Sequence, residues 1–169
     1  ISMFACAKLG IHFSVIFEDL APEAIHKRIL LLKPNLFITR FSKTKFTKDI
    51  FSKIKLKKMK LIFFENIKYL NKKINIKKIS PIAVNSNKEL FTLFTSGSTG
   101  VPKGIVHSSG GYLVATKYTS IKQFGMNTQS VVLTASDAGW LNGHTYALFG
   151  PLSLGATTVL LESPMLLVD

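Results

Sequence analysis

The ten residues Thr95-Ser96-Gly97-Ser98-Thr99-Gly100-Val101-Pro102-Lys103-Gly104 constrain this chain more than any other stretch. They lie between two apolar, strand-like runs, Phe91–Thr95 and Gly104–His107, so the backbone must leave one strand, turn through glycine-rich sequence and return. Glycines at 97, 100 and 104 admit positive φ and close approach, which lets several N–H groups converge on anionic oxygens. Ser96, Ser98 and Thr99 add hydroxyl donors, Lys103 adds a full positive charge, and Pro102 stiffens the approach to it. The plainer alternative is a flexible Gly/Ser turn between two strands. A Walker A loop is excluded, because Lys103 follows Pro102 and precedes Gly104 instead of standing in Gly-Lys-Ser/Thr.

The chain can bury a core around such a loop. Its 169 residues are 47% apolar and 18% charged, about one domain by length, and this composition excludes intrinsic disorder. The net charge of +13 comes from 22 basic against 9 acidic residues, and all the basic residues but Arg28 and Arg40 are lysine. A surface evolved for phosphate or nucleic acid favours arginine's planar fork, so a lysine excess is weak support for a nucleic-acid partner. The segment from Lys43 to Lys78 holds 13 lysines and two acids, Asp49 and Glu65. It reads as a buried strand, Lys60–Phe64, between solvated basic segments; a nucleic-acid-binding module is the weaker alternative because no stacking platform accompanies the lysines.

Cys6 is the lone cysteine, which excludes an intramolecular disulfide framework or a cysteine zinc cluster in this sequence and favours a cytoplasmic setting. It is expected to be a small buried apolar group, not a reactive thiol. No secretory leader is legible at Ile1, and the sequence reads as cut at its front. No Asp, Glu, Lys or Arg occurs from Ala138 to Leu161, yet glycines, Pro151 and polar groups punctuate that stretch. It therefore reads as a buried helix followed by a strand, with no membrane span.

A short helix is expected around Phe4–Leu9 and a strand at Ile11–Phe17. Pro22 and Glu23 suit a first helical turn, Pro34 ends that helix, and Leu36–Thr39 is strand-like, so one βαβ crossover fits. Later come strands at Phe91–Thr95, Gly104–His107, Val131–Thr134 and Ala156–Leu161, with a helix at Tyr112–Gln123 whose apolar positions have mixed spacing. The pattern predicts an α/β fold with a mainly parallel sheet and flanking helices. Its portions are a first βαβ part over 1–42, a divergent lysine-rich part over 43–87 and a loop-bearing part over 88–169.

The run Phe94-Thr95-Ser96-Gly97-Ser98-Thr99-Gly100-Val101-Pro102-Lys103-Gly104-Ile105 resembles the phosphate-loop signature of the adenylate-forming superfamily. Val106 through Leu113, Ala135 through Tyr146 and Phe149 through Val159 resemble the short-chain acyl-CoA synthetases, the acetyl-CoA and propionyl-CoA synthetase group. Ala5–Gly10 with His12–Phe17, and Pro22–Ala24 with Arg28-Ile29, continue the resemblance, which covers most of 3–39 and 88–164 and almost none of the lysine-rich middle.

The resemblance implies part of the large N-terminal domain of an enzyme that uses ATP, Mg2+ and CoA to activate a short-chain carboxylate such as acetate or propionate. A carboxylate attacks the α-phosphate to give an acyl-adenylate and pyrophosphate, and the CoA thiol then displaces AMP. It assigns Thr95, Ser96, Gly97, Ser98, Thr99, Gly100 and Lys103 to the ATP phosphates, with Lys103 stabilising their charge, and Trp140, Leu141 and Asn142 to the acyl pocket. No metal ligand is assigned. For Trp140 core packing competes with substrate contact; His144 is as well explained by structure as by ligand contact, and His107 better as a buried, satisfied histidine.

Departures are specific. Leu141-Asn142 replaces the Val-Thr of acetate enzymes and the Val-Val of propionate enzymes, and Glu18-Asp19 replaces a Gly-Gly near the CoA nucleotide. An arginine-rich CoA contact is not recognisable after Thr39, where Arg40, Lys43 and Lys45 stand. The motifs for adenine, ribose and magnesium, the hinge and the mobile C-terminal domain have no counterpart before Asp169, so the sequence reads as a fragment that is inactive alone. The alternative is a decayed or truncated relic that at most binds nucleotide phosphates.

Overall fold

The computed structural model describes residues 1–17, 20–40, 59–66, 79–95, 101–137 and 139–161. These fall into two compact units: the first holds 1–17, 80–95, 103–137 and 139–161, the second 20–40, 59–66, 79 and 101–102.

In the second unit, helix α2 (Pro22–Leu32) begins with proline in its first turn, where the missing N–H costs nothing, and Glu23 lies near its positive end. It buries Ile25 and Ile29, four apart on one face, and terminates at Lys33 in the left-handed conformation with φ 47°. Pro34 prevents any continuation. Strand β1 (Leu36–Thr39) then pairs in parallel with β2 (Lys60–Phe63), Leu36 opposite Lys60 and Thr39 opposite Phe63.

The first unit is organised on β3 (Glu89–Thr95), where Leu90, Phe91, Thr92 and Leu93 are all buried. Four consecutive buried residues mean that both faces of the strand are covered. One flank pairs antiparallel with β4 (Lys103–Ser108), with a register shift between Glu89 and Phe91. On the other flank Phe13 bridges Phe91 in parallel: the Phe13 amide donates to Leu90 O at 3.2 Å and the Thr92 amide to Phe13 O at 2.9 Å. Ile11–Phe17 is therefore an extended segment with a single bridge, not a regular strand. The expected βαβ crossover is corrected accordingly: 11–17 joins β3 in the first unit, and β1 pairs with β2 in the second. Parallel pairing holds for β1 with β2, for the Phe13 bridge and for β5 (Val131–Leu133) with β6 (Thr157–Val159), while the β3–β4 hairpin is antiparallel.

Leu90, Phe91, Leu93, Tyr112, Ala147, Leu148 and Phe149 form the core, with Met3, Phe4 and Ala7 from α1 (Ser2–Lys8) and Phe13 packed against it. Helix α3 (Ser109–Lys122) enters without a side-chain cap. Its first amides go instead to the turn before β3, Ser109 N to Lys88 O and Gly110 N to Ser86 O, both at 2.8 Å. Gly110 makes that approach possible, because a Cβ there would lie 2.7 Å from Ser86 Cβ.

The uncharged stretch folds as a helix and a strand, as expected. Its helix contains a π-helical segment, Gly143–Phe149, that runs into α4 (Gly150–Ser153). A π turn closes i→i+5 hydrogen bonds and is wider than an α turn. Two of its carbonyls accept from threonines: Thr134 Oγ1, just past β5, donates to Tyr146 O at 3.0 Å, and Thr158 Oγ1 of β6 to Ala147 O at 2.6 Å. Among the described residues no helix is long and apolar enough to cross a membrane.

Gly150 packs against Ser120 and Thr116 of α3, and an added Cβ would collide with Ser120 Oγ and lie 2.7 Å from Thr145 O. Gly150→Ala is expected to destabilise the first unit by about 1–3 kcal/mol, the usual range for overpacking. A urea midpoint equal to that of the parent chain would show that this contact is not tight.

Candidate functional site

Thr95 and Lys103 are the last register partners of the β3–β4 hairpin, so its antiparallel ladder closes between them. Directly opposed residues on an antiparallel pair share a face, which puts the Thr95 and Lys103 side chains on the same face of the hairpin where its described ladder ends. Both are exposed. Lys103 belongs to the strand, not to the loop, and the ladder therefore fixes its backbone. Ser96, Gly97, Ser98, Thr99 and Gly100 lie outside the described residues.

Gly104 corrects one expectation. Among the described glycines positive φ occurs at Gly10, Gly125 and Gly155, and Gly104 is an ordinary strand residue. Its constraint is spatial: a Cβ would sit 3.0 Å from Thr92 Cγ2 and 3.2 Å from Phe94 Cε1.

The second cluster begins at Asp137. Its Oδ1 accepts from Gly139 N at 2.6 Å and its carbonyl from Trp140 N at 3.0 Å, an Asx turn that starts the helical stretch. Trp140 is 60% exposed and Leu141 45%, and Asn142 is exposed as well. Core packing of Trp140, the competing expectation, is thereby overturned: the ring projects from the turn. What fixes the turn is His144, fully buried, whose amide and Nδ1 both approach Trp140 O, at 3.0 and 3.1 Å. A carbonyl can only accept, so Nδ1 carries the proton. The His144 ring packs on Phe91 at 4.8 Å and lies parallel to Phe13 at 6.1 Å. These contacts fit the structural reading, in which the ring anchors the turn.

Phe91 also stacks on His107 at 4.7 Å and meets Tyr112 edge-on at 4.7 Å. His107 is half-buried, and desolvation holds its pKa below the ordinary histidine value. Tyr112 donates to or accepts from Thr145 Oγ1 at 3.1 Å, and burial pushes its phenol upward. Cys6 is half-buried with its thiol pushed up by desolvation, which disfavours the nucleophilic thiolate and suits a packing role.

Three contributors escaped sequence reasoning. Asp137 could have been found from the Asp-x-Gly spacing of an Asx turn. His12, whose Nε2 lies 2.8 Å from Thr92 Oγ1, and Thr158 carry no local signal, because each acts across a long stretch of chain. The described residues hold no group of three or more His, Cys, Asp or Glu suited to a metal ion.

A family model described as AMP-binding enzyme matches residues 1–168. The chain belongs to that family. It is of acetyl-CoA synthetase type: it is 54% identical over 84 residues to acetyl-coenzyme A synthetase 2 of Debaryomyces hansenii, a match covering 50% of this chain and 12% of that protein. It is 34% identical over 185 residues to acetyl-coenzyme A synthetase of Cronobacter sakazakii, covering 96% of this chain and 28% of that protein. The chain thus spans well under a third of the length of these curated relatives. The fold matches the anthranilate CoA ligase AuaEII, solved with anthranoyl-AMP, at a TM-score of 0.85 and 17% identity over 95% of this chain and 31% of that one. It also matches ATP-bound MatB from Rhodopseudomonas palustris at 0.79 and 16% identity, over 95% of this chain and 32% of that one. This AMP-binding chain therefore has the adenylate-forming α/β fold expected of it.

Below the ordinary histidine pKa of about 6.5 the unfolded chain protonates His107 while the folded state resists it. Stability from this group is full above that value and is lost as pH falls through it. The urea midpoint is expected to drop between pH 7.5 and 5.5, and to drop less in His107→Gln. An identical fall in both proteins would show that His107 is not a source of the pH dependence.

Proposed function

We propose that this chain is the phosphate-loop and acyl-pocket portion of an ATP-dependent short-chain acyl-CoA synthetase. The reaction joins acetate or propionate to CoA with release of AMP and pyrophosphate. The observation that carries the proposal is the pairing of Thr95 with Lys103 at the closing rung of a hairpin, in a chain of the AMP-binding family.

In the first step a carboxylate oxygen bonds to the α-phosphorus of ATP and the bond to pyrophosphate breaks. In the second the CoA sulfur bonds to the acyl carbon, AMP leaves, and the thiol proton passes to solvent. Two anions must meet in the first step, so the main task of the protein is to disperse charge. Lys103, its backbone held by the ladder, offers a cation, and Thr95 a hydroxyl on the same face. The proposed cradle continues through Ser96, Gly97, Ser98, Thr99 and Gly100. Bound Mg2+ would add neutralising charge on the phosphates. Trp140, Leu141 and Asn142 are the proposed acyl wall, supported by their exposure on an anchored turn. A second reading, phosphate binding without ligation, draws on Glu18-Asp19, whose carboxylates would repel a phosphorylated thiol carrier.

The test is ATP–pyrophosphate exchange driven by acetate or propionate. In the full-length polypeptide that carries this segment, Lys103→Ala is expected to reduce exchange by about 100-fold or more with an unchanged thermal midpoint. Unchanged exchange would remove Lys103 from the site. The 169-residue chain alone is expected to bind ATP weakly and not to turn over; acyl-CoA formation by it would refute that expectation, and full-length protein that binds ATP without exchange would favour the second reading.

A further inference from the structure

Both backbone groups of Trp140 are tied. Its N–H donates to Asp137 O at 3.0 Å, and its carbonyl is approached twice by one residue, by the His144 amide at 3.0 Å and by His144 Nδ1 at 3.1 Å. A carbonyl oxygen has two lone pairs and can accept both. The amide bond is the i→i+4 bond of any helical turn. The imidazole bond is additional, and it is made by a wholly buried polar side chain.

The segment that carries His144 is held from several elements at once. The His144 ring lies on Phe91 and parallel to Phe13, Thr145 Oγ1 pairs with Tyr112 Oη, Tyr146 O accepts from Thr134, and Ala147 O accepts from Thr158. Trp140 therefore hangs from a fixed support, 60% exposed, with its backbone constrained and only two side-chain torsions left to it. Phenylalanine at 144 would keep the ring contacts without the cost of burying a polar ring. What histidine adds to them is the link to Trp140 O.

We propose that His144 is a positioning residue for acyl selectivity: its Nδ1–H holds the Trp140 turn so that the indole meets the acyl group at a fixed depth. The proposal rests on the reading of Trp140 as acyl wall. An apolar pocket separates acids that differ by one methylene by roughly 10- to 200-fold. Misplacement by about 1 Å costs on the order of 100-fold where reaction depends on position. Such a wall discriminates only while its turn does not yield. Asp137 acts at the other end of that turn, where its Oδ1 accepts from Gly139 N at 2.6 Å.

In the full-length polypeptide that carries this segment, kcat and KM for acetate and for propionate are compared in two variants. His144→Phe keeps a ring and loses the donor, whereas His144→Asn keeps an N–H at the place of Nδ1. The ratio of kcat/KM between the two acids is expected to fall toward one by about 10-fold in His144→Phe, with the KM for ATP within about twofold, and to recover in His144→Asn. Asp137→Ala, with Asp137→Asn as its rescue, repeats the test if a His144 variant fails to fold. Trp140 is also followed directly by fluorine NMR of fluorotryptophan-labelled protein, its line assigned by its loss in Trp140→Phe. A single narrow line is expected in the parent, broadened or split in His144→Phe and in Asp137→Ala. An unaltered line in folded His144→Phe overturns the proposal, as does an unaltered acid ratio where Trp140→Ala changes it. If Trp140→Ala also leaves the ratio unaltered, or the parent activates neither acid, the proposed acyl wall or the proposed ligase function fails instead, and the fluorine line alone decides whether His144 holds Trp140.

Discussion

Phe91 is the side chain on which the first unit depends. Wholly buried in β3, it contacts Phe13 from the extended segment, His107 from β4, Tyr112 from α3 and His144 from the π-helical segment. A fully buried phenylalanine contributes on the order of 3–5 kcal/mol when truncation is the comparison. Its larger importance is geometric. Four residues along the same strand stands Thr95, opposite Lys103, and one ring away stands the histidine that holds Trp140. The proposed phosphate and acyl contacts therefore rest on one rigid anchor, which is what positioning chemistry requires.

Hydroxyl groups do much of the interior polar work. Tyr112 meets Thr145, Tyr146 meets Thr119, Ser14 bonds to Thr92 O, and Thr134 and Thr158 take carbonyls of the widened helix. Hydroxyls suit this role because one small group can donate or accept, and a satisfied one avoids the desolvation cost of a bare carbonyl. The π-helical segment can thus lie against β5 and β6 without charged side chains, which accounts for the long uncharged stretch in the sequence.

Legibility followed locality. Leu36–Thr39 was read at its true limits, and Lys60–Phe63, β3, β5 and β6 to within one or two residues, because short runs of β-branched and aromatic residues between breakers encode strands locally. Helix α2 was legible from Pro22 and Pro34. What escaped was long-range: the single bridge at Phe13, the division of the presumed crossover between two units, and the cap that Ser86 and Lys88 provide to α3. The mixed spacing of α3 reflects a buried face that is largely polar, Tyr112, Thr116 and Ser120, and an exposed face that carries Val114, Tyr118 and Ile121. Thr95 and Lys103 were both picked out in the proposed phosphate loop, and their opposition across the hairpin followed only from the register. Trp140 illustrates the converse, since its size suggested the core and only the His144–Trp140 hydrogen bond explains why the turn holds it outward.

Three glycines make the same point about mechanism. Gly110 and Gly150 are required by proximity, to Ser86 and to Ser120, and Gly104 is closely approached by Thr92 and Phe94, in none of the three through an unusual backbone angle. Each marks a place where two elements approach closely. At Gly104 that closeness seats the Phe94 ring across the hairpin, one residue from Lys103. Were β4 displaced there, the lysine would shift with it, although the proposed phosphate loop would be unaltered in sequence. Charge placement in a site of this kind is thus set as much by a missing Cβ in the strand as by the residues of the loop itself.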